Sequence, residues 1–245
     1  MYKIITAIII CAILTGCFLA NSPPFYGRDA RSYLTSKGED SKIIQKLIEY
    51  VPLTKDEAEI LFKYNDIAVL HLLGSNQGTP VYILEKLSDH CNFEVRTGVA
   101  SNENAPLPLL LKLRTKNRYT TENLVLSENP AIPKDILREM YHNNETSLWG
   151  LAANPNCPEE IMILAAKSND WMDRSSIGSN HNIPIELFDI LKNDTDSLNL
   201  LHLTSNPKIP RSIFNEIKEK LKNDKDERIR RDIMNMKFPG DEVTK

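Results

Sequence analysis

The sequence predicts an all-α fold, a solenoid of about six 26-residue two-helix repeats. Two observations carry that expectation. An Asn followed four residues later by Pro recurs as Asn76/Pro80, Asn102/Pro106, Asn129/Pro133, Asn154/Pro158, Asn180/Pro184 and Asn206/Pro210, at intervals of 26, 27, 25, 26 and 26 residues. Aliphatic columns keep the same register. Three residues after each Pro stand Ile83, Leu109, Ile136, Ile161, Leu187 and Ile213, and the residues one and four further on are apolar as well. Spacing of i, i+1 and i+4 puts all three on one face of a helix, here called helix A, with Pro in its first turn. A seventh pair, Asn235/Pro239, arrives three residues late.

A shorter helix, helix B, precedes each Asn. Ten residues before Asn lie Asp66, Asn92, Tyr119, Asn144, Asp170 and Asp196, five of them strong N-cap residues. Three before it the core column reads Leu73, Val99, Leu126, Leu151, Ile177 and Leu203. Two before it Gly74, Ala100, Ser127, Ala152, Gly178 and Thr204 are all small, so neighbouring backbones can approach. Helices this short do not persist alone; stacking on neighbours must hold them.

Two-helix units of this length are too short for tetratricopeptide or HEAT repeats. The segment Asn92-Phe93-Glu94-Val95-Arg96-Thr97-Gly98-Val99-Ala100-Ser101-Asn102, with Pro106 four residues on, resembles the unit of the leucine-rich repeat variant family, as does Leu151-Ala152-Ala153-Asn154-Pro155-Asn156-Cys157-Pro158. The resemblance covers about residues 66–217. It implies a right-handed superhelix used as an interaction surface. The founding member's iron–sulfur cluster sits on a cysteine-rich segment that has no counterpart here, so no cofactor carries over.

Ahead of the repeats, Lys3 and an uncharged run from Ile4 to Gly16 end in Leu14-Thr15-Gly16-Cys17, which resembles a bacterial lipobox. On that reading residues 1–16 are a signal peptide, Cys17 carries the lipid, and 17–39 are a Ser/Pro/Gly-containing tether spanning about 25 Å. Capping helices are expected over 40–65, with Ile43, Ile44, Leu47, Ile48 and Val51 on one face. Thr54-Lys55-Asp56-Glu57 reads as a capping box, with Ile60 and Leu61 turned inward. Residues 66–217 form the repeats. Residues 218–245 form a C-terminal cap and tail, its mixed charges suiting one solvated helix.

Loss of residues 1–16 leaves 29 basic against 33 acidic side chains, a net charge of −4 that offers no phosphate-binding surface. Cys91 and Cys157 lie 66 residues apart. At roughly 10 Å per helix layer that is far beyond the ~7 Å a disulfide spans, so both are expected to be free and buried.

The recurrent Asn76, Asn102, Asn129, Asn154, Asn180 and Asn206 are expected to be structural, since Asn tolerates a left-handed C-terminal position and its amide can bond turn backbone. The five histidines share no column, and no nucleophile elbow, Walker-type loop or paired-carboxylate motif occurs, so no enzyme activity, metal or cofactor is predicted. The sequons at Asn144 and Asn193 read as accidental. Trp149 stands in a column otherwise filled by His71, Thr97, Leu124, Ser175 and Leu201, and Trp171 in one containing Thr120, Glu145 and Ser197; columns that accept such polar residues are expected to be partly exposed. With Arg96 and Arg174 in a neighbouring column, they form the candidate protein-binding face.

The expected role is therefore a lipid-anchored envelope protein that binds a protein partner, the lipid on Cys17 reaching a membrane and no nucleic acid being involved. Phe18 in place of Asp after Cys17 weakly favours the outer membrane where a cell has two. An immunity-like lipoprotein masking a toxin or enzyme is the alternative. An envelope hydrolase would need catalytic groups the sequence lacks.

Overall fold

The computed structural model describes residues 42–64, 66–115 and 120–241. Among them the chain is wholly helical, with 15 α-helices, one 3-10 turn and no strand. It divides into two compact units between Ile132 and Pro133. The expected signal peptide and tether, and Cys17 with them, lie outside the described residues.

The first unit holds α1 (Lys42–Ile48), α2 (Lys55–Phe62), α3 (Ile67–Ser75), α4 (Val81–Ser88), α5 (Phe93–Ala100), α6 (Leu107–Leu113) and α7 (Thr121–Glu128). The second holds α8 (Lys134–His142), α9 (Leu148–Ala153), α10 (Glu159–Ala166), α11 (Trp171–Ser179), α12 (Leu187–Leu191), α13 (Ser197–Thr204), α14 (Arg211–Leu221) and α15 (Glu227–Asn235). Within each unit a helix packs on the next and on the next but one. Helices α3, α5 and α7 stack in the first unit, and α9, α11, α13 and α15 in the second. That contact pattern is what a helical repeat requires.

The core columns are where periodicity puts them. Leu73, Val99, Leu126, Leu151, Ile177 and Leu203 are each at most 1% exposed. Each such side chain contributes about 1.5–3 kcal/mol on burial. Helix A's columns are buried as well, except Ile136, which is half-exposed. A further column, three residues after each Asn, reads Thr79, Ala105, Ile132, Cys157, Ile183 and Ile209 and is buried throughout. Cys157 thus fills a hydrophobe's place. It is a free thiol, and burial pushes its pKa up to about 12.

Caps follow the chemistry of their residues. Thr54 and Glu57 form the reciprocal capping box. Asp66, Asn92, Asp170 and Asp196 each accept N–H bonds from the first turn of their helix. Pro80, Pro106, Pro133, Pro158 and Pro210 stand at the N-cap rather than within the first turn, a position whose own N–H the helix does not use.

Several expectations need correction. Asn144 does not cap α9: with φ of 52° it closes α8, helped by a bond from the Glu145 N–H to the Met140 carbonyl, and Ser147 is the cap. Ile60 is 45% exposed and Val51 is exposed, while Leu61 and Ile44 are buried. The charged run after residue 217 is not one helix, because α14 ends at Leu221 and Asp226 caps α15. Cys91 is exposed and disulfide-bonded rather than buried and free. The distance argument excluded only its pairing with Cys157.

The repeated Asn is not left-handed. At Asn76, Asn129, Asn154 and Asn180 φ is −69° to −74° and ψ 118° to 131°, extended backbone that ends the helix. All six Asn are at most 3% exposed. Each Oδ1 accepts from the N–H two residues on, an Asx turn: Gly78, Asn104, Ala131, Asn156, Asn182 and Lys208. In Asn76, Asn102, Asn129, Asn180 and Asn206 the Nδ2 then reaches the preceding layer, Asn76 through the Val51 carbonyl at 2.9 Å. Asn102 donates to the carbonyls of Gly74 and Asn76 at 2.8 and 2.9 Å, and Asn129 to those of Ala100 and Asn102 at 2.7 and 3.1 Å. In the second unit Asn180 donates to Ala152 and Asn154, both at 2.8 Å, and Asn206 to Gly178 and Asn180 at 2.8 and 3.0 Å. One side chain therefore closes its own turn and joins two layers.

Candidate protein-binding face

Of the four residues proposed for binding, Arg96 belongs to the first unit and Trp149, Trp171 and Arg174 to the second. Arg96 is already engaged. Its Nε and Nη2 bond Glu122 Oε1 at 3.1 and 2.5 Å, and its Nη1 bonds the His90 and Cys91 carbonyls, both at 2.8 Å. Arg174 repeats the arrangement: Nε and Nη2 hold both oxygens of Asp194 at 2.8 and 3.0 Å, and Nη1 takes the Ser168 carbonyl at 2.9 Å. Arg230 does the same to the Asp224 and Lys225 carbonyls. An Arg at this place reaches back to carbonyls five or six residues earlier and holds the loop between the preceding helix and its own. Both predicted arginines thus serve the fold.

The column reasoning for the tryptophans also fails in part. His71 and Thr97, taken as signs of exposure, are buried, because the His71 ring Nδ1 and the Thr97 hydroxyl each find the Glu94 carbonyl at 2.7 Å. Trp149 in that column is half-buried. Trp171 differs: it is 54% exposed. As the first residue of α11 it lies about 120° around the helix from the core residue Ile177.

Two neighbours that sequence reasoning missed extend the surface. Met172 is 40% exposed and Leu198, at the matching place on α13, is 54% exposed. The layers are fastened by Asn199, whose Nδ2 donates to the Trp171 carbonyl at 3.0 Å. Their column reads Ala68, Glu94, Thr121, Thr146, Met172, Leu198. The change to large apolar residues in its last two places, away from the core face, was the available signal.

Carboxylates gather beside this ridge. Asp170 and Asp196 cap α11 and α13 at the surface, while Asp173 and Asp194 are at most 8% exposed. Burial pushes Asp173 up, opposed by bonds from the Ser168 hydroxyl and the Trp149 backbone. Burial would raise Asp194 too, but Arg174, the Asp196 N–H and Asn199 Nδ2 together hold it below its usual range. An acid whose folded pKa is depressed stabilises above its unfolded pKa of about 3.9, and that contribution is lost as pH falls through the folded value. Urea unfolding between about pH 2 and pH 5 should therefore show a smaller acid-induced loss in Asp194→Asn than in wild type; equal slopes would refute the assignment.

Two shallow clefts open in the second unit. One of about 490 Å³ is lined by Pro133, Pro155, Cys157, Met162 and Pro184. The other, about 320 Å³, lies beside Arg174 and Asp194. In the first the Cys157 thiol stays protonated, and beside the second Arg174 is committed to Asp194. Among the described residues no three His, Cys, Asp or Glu side chains converge as metal ligands, and no helix is long and apolar enough to cross a membrane.

Comparison of the chain with protein-family models, curated proteins and solved structures finds no match.

Proposed function

We propose that this chain is a lipid-anchored envelope protein in which about six 26-residue repeats build a right-handed α-solenoid of the leucine-rich repeat variant kind, presenting helix B to a protein partner. The observation that carries the docking role is the ridge of Trp171, Met172 and Leu198 on consecutive layers. Large apolar side chains left in water on adjoining helices are costly unless a partner covers them, and Trp is the residue most enriched where binding energy concentrates. The repeat reading is supported by Asn bonds recurring at separations of 26 and 28 residues. The anchor reading rests on Leu14-Thr15-Gly16-Cys17.

The docking role is tested by quantitative capture of the envelope partner by wild type and by Trp171→Ala. Truncating an anchoring Trp should cost about 2 kcal/mol, roughly thirtyfold in affinity, with helicity unchanged because the ring is exposed. Unchanged affinity would remove the ridge from the interface. In the same cells Cys17→Ser should abolish lipid labelling; labelling that persists would remove the anchor.

A further inference from the structure

We propose that the segment received by the Trp171 ridge is a cationic amphipathic one, an apolar side chain flanked by Lys or Arg, and this rests on the docking reading above. Charge decides it. Four aspartates, Asp170, Asp173, Asp194 and Asp196, lie beside the ridge; Arg174 answers Asp194 with two bonds from its guanidinium and Lys220 Nζ reaches the Asp194 backbone carbonyl at 3.1 Å, so carboxylates still outnumber cations there. Asp194, Asp196 and Asp170 all stabilise the charge on that Arg, so their fields overlap there. Asp170 is exposed and Asp196 half-exposed, one and two residues from Trp171 and Leu198 respectively. A ridge rimmed this way favours a cation beside the apolar anchor, and the Trp171 ring itself attracts Lys or Arg to its face. The same carboxylates oppose an anionic bilayer surface, the other place where an exposed Trp settles.

The chain has two tryptophans, so Trp149→Phe leaves Trp171 as the sole fluorescent reporter. Three synthetic helical peptides of about 18 residues serve as probes, with Leu at the i, i+3, i+4 positions and Lys, Glu or Ser elsewhere. The Lys peptide should shift Trp171 emission and bind at least tenfold tighter than the Glu or Ser peptide, weakening as salt rises from about 50 to about 500 mM. Asp170→Asn with Asp196→Asn removes both charges yet keeps both caps, because the Asn carbonyl accepts the same N–H bonds. That variant should lose about tenfold in Lys-peptide affinity at unchanged melting temperature. A Ser peptide that binds as tightly as the Lys peptide overturns the charge inference while leaving the docking reading in place. No response to the Lys peptide, or its displacement by anionic phosphatidylglycerol vesicles, also overturns it. A Lys peptide bound equally well by Trp171→Ala defeats both readings.

Discussion

Replacing Asn180 by Ala is expected to lower the unfolding free energy by about 3 kcal/mol, measured by urea denaturation. Three backbone groups lose their partner at once: the Ala152 and Asn154 carbonyls and the Asn182 N–H. Each group left buried and unsatisfied costs roughly 1–3 kcal/mol, and relaxation or water entering the gap returns part of the sum. Asn180→Asp should be worse than Ala at neutral pH. It keeps the acceptor for Asn182 but turns a carboxylate oxygen toward two carbonyls at a site only 3% exposed. Burial and those carbonyls raise the folded pKa of the new acid, so its penalty is full above that pKa and fades as pH falls toward about 4. In acid the Asp variant should therefore overtake Ala, because its protonated carboxyl accepts from the Asn182 N–H and donates to one of the two carbonyls. If Asn180→Ala melts like wild type yet loses partner binding, the Asn is a contact residue and not a joint between layers.

The period of the fold was legible because its two markers are chemically obligatory. Pro cannot sit inside a helix, and the turn before it needs an amide that both accepts and donates, so Asn-x-x-x-Pro survives in every layer while other positions drift. The small column before Asn was legible for a similar reason: a Cβ on its Gly74 would press on the Gly98 and Val99 backbone of the next layer, the nearest atom at 2.9 Å. Conformation at the Asn was not legible, because Asn serves both left-handed and extended helix ends and only the bonds to the previous layer's carbonyls decide between them. The candidate site was half legible. Trp171 was found by residue type, but exposure was inferred from polar neighbours in its columns. That rule fails for His71 and Thr97, which satisfy themselves on one carbonyl, and for Glu145, which is 2% exposed. Arg96 and Arg174 looked available because their partners come from other segments. Glu122 is 26 residues from Arg96, one repeat on, whereas Asp194 stands in the loop before α13. Cys91 was misjudged because the pairing was weighed against Cys157 alone.

Gly98→Ala and Gly178→Ala should have opposite effects, although both sit in helix B one place from the core column. A Cβ on Gly98 would lie 2.2 Å from the His71 carbonyl oxygen and 2.9 Å from its carbon, both backbone atoms of α3 that cannot swing aside. The clash is relieved only by prying α5 from α3, where Val99, Leu73 and Leu72 are fully buried. Such overpacking costs about 3 kcal/mol or more, set against a propensity gain of about 1 kcal/mol for Ala over Gly in a helix. A Cβ on Gly178 would meet only Leu203 side-chain atoms, the nearest at 3.5 Å, which is ordinary contact. There the helix propensity and the reduced freedom of the unfolded chain act unopposed, so Gly178→Ala should be neutral or stabilise by up to about 1 kcal/mol. Thermal melts of the two variants beside wild type decide the matter. A Gly98→Ala protein as stable as wild type would mean that α3 and α5 do not approach as closely as their backbones indicate, and a Gly178→Ala protein that loses stability would mean that α11 and α13 stand closer.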